Sequence, residues 1–154
     1  MPKLKTSILA FLFILASCNR DGRNTFSLSI KHYASAAGIT IIYSLTEDNL
    51  QIDTNCDLEN CKQITVYKTS FTRLQSDSIY NFLLSLRLDT LKPQYKTDRM
   101  FDGLVTRLKF TKNIFTSYTS IFNNYSTSTT DTLFKYIDNL ISQKKYRFAT
   151  WGDD

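Results

Sequence analysis

Few side chains in this sequence are equipped for chemistry. It holds one histidine, His32, three cysteines, Cys18, Cys56 and Cys61, and only two glutamates, Glu47 and Glu59. A zinc site would have to gather His32, Cys56, Cys61 and a fourth ligand into a tetrahedron. A Cys–His nucleophile would need one thiol beside His32 with its pKa lowered. Nothing in the spacing brings His32 to either cysteine, so a surface or partly packed histidine at a strand end is the plainer expectation. The run Asp53-Thr54-Asn55-Cys56-Asp57-Leu58-Glu59 starts like a calcium loop. Such a loop needs Gly at its sixth position and a bidentate Glu at its twelfth, where this chain has Leu58 and Ile64. The run is read as a polar hairpin loop. Asp98 and Asp102 are spaced for a carboxylate pair, but they fall in a loop where solvation accounts for them. No Gly-x-Ser-x-Gly and no glycine-rich phosphate loop occurs. The expectation is a non-catalytic domain with no metal and no cofactor.

Two groups of residues are suited to binding instead. Lys144-Lys145-Tyr146-Arg147-Phe148 mixes cations and aromatic rings. That mixture can serve nucleic acid or lipid headgroups, or simply end a helix, since cations suit the negative end of the macrodipole. The sequence also carries 9 Tyr and 11 Phe. Tyrosines such as Tyr67 and Tyr118, if they lie on polar strand faces, would give contact area at low entropic cost.

The third cysteine has a different context. Lys3 and Lys5 precede an apolar run from Ile8 to Leu15, and Ala16-Ser17-Cys18 follows. Eight apolar residues are far fewer than the roughly 20 that cross a bilayer, so residues 1–17 read as a secretory leader. Leu15-Ala16-Ser17-Cys18 resembles the lipobox of bacterial lipoproteins. The resemblance covers the leader only. It implies a diacylglyceryl thioether on Cys18, cleavage before it, and membrane attachment through more than one acyl chain, as stable anchoring requires. In Gram-negative members an Asp after the Cys favours the inner membrane. Asn19 in that place implies the cell outer membrane, on its periplasmic or surface side. That address argues against a nucleic-acid partner. It also leaves Cys56 and Cys61 as a pair in an oxidising compartment, where a structural disulfide across residues 57–60 is expected. Closing so short a loop contributes roughly 2 kcal/mol in the chain-entropy model.

Composition sets the remaining bounds. The chain has 154 residues, 42% hydrophobic and 21% charged, with 4 Gly and 2 Pro, which excludes disordered and collagen-like classes. Removing Lys3 and Lys5 with the leader takes the basic count from 19 to 17, against 14 acidic residues. The mild positive excess gives some attraction to anionic surfaces but does not by itself make a polyanion binder.

The elements that must carry these residues follow from hydrophobic periodicity. Residues 18–25 read as a lipidated tether and 26–154 as a single domain. Phe26, Leu28 and Ile30 alternate with Ser27, Ser29 and Lys31, as in a half-buried strand. Strands are also expected at Ile39–Leu45, Leu50–Thr54 and Ile64–Phe71, in the alternating stretch Leu104–Phe110, and at Ile114–Phe122. One helix is expected to open at Ser76 and bury Ile79, Phe82, Leu83 and Leu86. A second is expected from Thr130-Asp131, burying Leu133, Phe134, Ile137, Leu140 and Ile141 and ending in Lys144, Lys145 and Arg147. Asp89–Met100 reads as irregular. The expected fold is α+β: an antiparallel sheet of about six strands with two helices packed on one face. A duplicated strand–strand–helix unit is one reading of this order, and two unrelated amphipathic helices are another. The expected function is a membrane-anchored binding module for a protein or envelope component. The alternatives are an inhibitor or immunity protein against a periplasmic enzyme or toxin and, behind it, a hydrolase.

Overall fold

The computed structural model describes residues 24–34, 38–56, 62–96, 104–113 and 116–148. The leader, the lipobox with Cys18, Cys61 and the loop before it, Asp98, Asp102 and the tail from residue 149 lie outside the described residues.

Four strands come first: β1 (Phe26–Ala34), β2 (Ile39–Thr46), β3 (Asn49–Cys56) and β4 (Ile64–Ser70). Helix α1 (Arg73–Ser85), a 3-10 turn at Leu88–Thr90 and the short β5 (Gln94–Lys96) follow. The chain continues through β6 (Leu104–Lys112), β7 (Thr116–Asn123), α2 (Ser128–Leu140) and a 3-10 turn at Lys144–Tyr146. The strands form one sheet in the order β4-β3-β2-β1-β6-β7-β5.

Register makes the alternation in the sequence add up across strands. Leu28 lies opposite Leu45 of β2 and Phe110 of β6, while Ile30 lies opposite Tyr43 and Leu108. Leu50 and Ile52 extend the same rows into β3. A slip of one residue would turn this whole set to the other face. All these side chains are buried, and both helices close over them. From α1 come Ile79, Tyr80 and Leu83, and from α2 Leu133 and Ile137. Phe82 and Tyr136 stack between the helices, with ring centroids 3.7 Å apart. Each fully buried Leu or Ile contributes about 1.5–3 kcal/mol relative to exposure.

The α+β class holds, but the sheet is mixed and seven-stranded rather than six-stranded and antiparallel. The added strand lies in the stretch expected to be irregular: β5 pairs parallel with β7, Tyr95 opposite Phe122. Three residues after Pro93 are too few to show alternation. The strand is held by tertiary contacts, with the Tyr95 ring stacked on Phe122 at 4.8 Å and Ile121 N–H donating to Pro93 O at 3.0 Å.

Both helices begin earlier than their apolar stripes suggest. The α1 N-cap is Thr72, not Ser76. Thr72 Oγ1 accepts from Gln75 N–H, and Gln75 Oε1 accepts from Thr72 N–H. This reciprocal pair satisfies two amide groups left free at the helix start, and Ser76 is buried one turn in. Thr127 and Thr130 make the equivalent box for α2. That helix stops at Leu140, before the cations expected to end it. Arg147 folds back instead, donating from Nε and Nη2 to Ile141 O at 3.1 and 2.9 Å. The two halves share helix length, cap and buried spacing. They differ in strands, with four before α1 and the parallel β5 in the second half.

Candidate functional site

The residues singled out from the sequence are dispersed by the sheet. His32 is near the end of β1 on the helix-covered face, opposite Thr106 of β6. Its Nδ1 is 3.0 Å from Thr106 Oγ1, and its ring meets Phe148 edge-on at 6.4 Å. Burial lowers its pKa from the ordinary value, because the charged ring loses hydration. His32 pairs with Ile41 of β2, whereas Cys56 pairs with Ile39. Two strand spacings and two residues along the strand put their Cα atoms about 12 Å apart, so they do not form a common site. Cys56 is disulfide-bonded, and its sulfur is not a free nucleophile. Among the described residues no group of three His, Cys, Asp or Glu is placed to hold a metal ion.

The basic and aromatic segment near the C-terminus closes the core. Phe148 stacks on Tyr43 at 3.8 Å and on Phe134 at 4.4 Å, and its N–H donates to Asp138 Oδ1 at 2.7 Å. Tyr43 donates its hydroxyl to Tyr146 O. Lys144 and Lys145 stay exposed. The two tyrosines expected on polar faces are on the covered face instead. Tyr67 is buried, its hydroxyl 3.4 Å from Ser142 Oγ. Tyr118 lies opposite Phe110. There it helps rim a cleft of about 230 Å³ floored by Leu83, Leu88 and Phe110, with Arg87, Asp89 and Lys112 on the same rim.

The opposite face of the sheet is left open by the described residues. Its centre is Ser27, Ser29 and Lys31 of β1, flanked by Thr40, Ile42 and Ser44 of β2 and by Arg107, Lys109 and Thr111 of β6. No helix side chain reaches the core from this side, and Ile42, Val105 and Ile121 are half-buried there among polar neighbours. Lys31 is directly opposite Arg107, and Ser29 is opposite Lys109. Opposed Cα atoms are about 5 Å apart and alternate residues along a strand about 7 Å, so the three cations are mutual neighbours. All three are exposed, and none has an ion-pair partner among the described residues. Lys68 of β4 and Lys96 of β5 lie on the same face farther out.

Asp53 is the buried carboxylate on this face, with Glu47 at its edge beside Ser27, Thr46 and Thr111; in the sequence Asp53 stands out only as part of a failed calcium pattern. It is 3% exposed. Its oxygens accept from Thr65 Oγ1 at 2.6 Å, from Gln51 Nε2 at 3.0 Å and from Gln63 Nε2 at 3.0 Å. The register shifts here: Ile52 pairs with Tyr67 but Asp53 with Thr65, leaving Val66 of β4 without a partner. The bulge folds Gln51, Gln63 and Thr65 around the carboxylate, which is thereby satisfied within the protein and not presented to a ligand.

The chain matches no protein family, no curated protein and no solved structure. Among the described residues no helix is long and apolar enough to cross a membrane.

Proposed function

We propose that this chain is a lipoprotein of the cell envelope, held on the outer membrane by acyl chains on Cys18. Its α+β domain binds a protein or another envelope component and performs no catalysis. The observation that carries this reading is the lipobox Leu15-Ala16-Ser17-Cys18 set a short tether ahead of a sheet with one face that no described helix covers. Two further features support it. The polar groups best suited to chemistry have structural partners: His32 has Thr106, and Asp53 has Thr65, Gln51 and Gln63. The disulfide at Cys56 suits an oxidising compartment, and Cys61 is the proposed partner.

Cys18→Ala tests the reading. The native protein is expected to incorporate labelled palmitate and to fractionate with the outer membrane. The variant is expected to remain as an unlabelled precursor retaining residues 1–17. Recovery of the variant in the outer-membrane fraction would overturn the proposal.

A further inference from the structure

We infer that the open sheet face lies against the anionic headgroups of the membrane that holds the anchor, with Lys31, Arg107 and Lys109 at the centre of contact. This rests on the lipid-anchor reading above and says which envelope component the domain touches.

The first argument is the arrangement of charge. Like charges directly opposite on neighbouring strands destabilise a sheet, yet β1 and β6 set Lys31 against Arg107 with Lys109 beside them. Nothing among the described residues neutralises them, because Asp53 is buried within its own hydrogen bonds. The helical layer is different: α1 carries Arg73 and Asp77, and α2 carries Asp131, Lys135 and Asp138. Among the described residues the open face thus carries Lys31, Lys68, Lys96, Arg107 and Lys109 against the buried Asp53 and, at its edge, Glu47, an excess of positive charge. An external array of anions removes the repulsion that the fold leaves in place.

The second argument is reach. Phe26 is eight positions after Cys18, a span of at most about 29 Å. The tether joins β1, the middle strand of the seven, and Lys31 is five residues farther, about 17 Å along the strand. A bilayer holding Cys18 is thus within reach of the face at every moment, at an effective concentration that a freely diffusing acidic protein does not match. Each basic residue brought near an anionic leaflet strengthens association about fivefold, and the gain is screened by salt.

The test uses the purified mature lipoprotein in vesicles of phosphatidylcholine alone and of phosphatidylcholine mixed with phosphatidylglycerol. Intact mass first reports the acyl chains, and lysine acetylation read by mass spectrometry then maps exposure. On anionic vesicles acetylation of Lys31 and Lys109 is expected to fall at least about fivefold relative to neutral vesicles, and to recover in high salt. Lys135 on α2 serves as the unchanged control. Arg107→Glu, at an exposed position, is expected to abolish the protection. Equal labelling of Lys31 and Lys109 on both vesicle types, with the acyl mass present, would overturn this inference and leave the anchor intact. That result would turn the search to an acidic protein partner. An intact mass without acyl chains would overturn the anchor reading, and this inference with it.

Discussion

The two faces of this sheet are built from the same strands and obey different rules. On the covered face, Leu28, Ile30, Leu108 and Phe110 are packed beneath Ile79, Leu83, Leu133 and Ile137, and each position is fixed by volume. On the open face, Ser29, Ser44, Thr119 and their neighbours meet no second layer among the described residues, and strand propensity is the constraint that folding places on them. A costly feature on the covered face can be explained by packing. A costly feature on the open face, such as two cations directly opposite each other, has no such explanation inside the fold and calls for one outside it.

The largest expected effect tests that division directly. Leu133 is fully buried in α2, and Leu133→Ala removes its burial and leaves a cavity. The expected loss is about 2–5 kcal/mol, whereas Thr119→Ala on the open face should change stability by less than about 0.5 kcal/mol. Urea unfolding of both variants checks this. Equal losses would mean that the open face is packed after all.

Asp53 is the exception on the open face, and its substitution is expected to rank second. Asp53→Ala strands the amides of Gln51 and Gln63 and the hydroxyl of Thr65 around an empty acceptor site. A cost of about 1–3 kcal/mol follows from the lost hydrogen bonds to a buried carboxylate. Urea unfolding of this variant beside Thr119→Ala separates a structural carboxylate from a merely polar position.

His32 adds a pH dependence to the covered face. Burial lowers its folded pKa below the ordinary histidine value of 6.5. The unfolded chain therefore binds the proton more readily, and the contribution is fully present above that value and lost as pH falls through the window below it. In His32→Gln this component should vanish. The stability difference between variant and native protein should then shift in the variant's favour as pH is lowered from 7 toward 5. A difference independent of pH would show that the ring stays hydrated.

The same division explains what could be read in advance. The long strands and both amphipathic helices were legible because each has one buried face, so period 2 or period 3.6 is written directly in apolar residues. The short β5 was not, since its place is set by Tyr95 stacking on Phe122, a ring 27 positions away in the chain. Tyr67 falls on the covered face because the bulge at Val66 breaks the alternation. Ile64 and Tyr67, three residues apart, share a side of the sheet. Tyr118 misled for another reason: β7 has Ser and Thr on both faces, and Ser120 is itself buried. The cationic centre was half legible. Arg107 and Lys109 alternate visibly with Leu108 and Phe110, and Lys31 with Ile30. Their meeting depends on β1 pairing with β6 across more than 70 residues, which no local pattern encodes.

The smallest expected effect returns to that pairing. Lys31→Glu replaces a like-charge opposition with an ion pair to Arg107 on an exposed face. Cross-strand pairs of this kind are worth about 0.2–1 kcal/mol, so the variant should be slightly more stable than the native protein in low salt, with the gain shrinking as salt is added. The same substitution should weaken the protection of Lys109 on anionic vesicles. A gain in stability accompanied by a loss of membrane contact is the signature of a residue retained for what it meets outside the fold. If Lys31→Glu instead lowers stability, the cation is making an intramolecular contact. The open face would then have to be read by the same packing rules as the covered one.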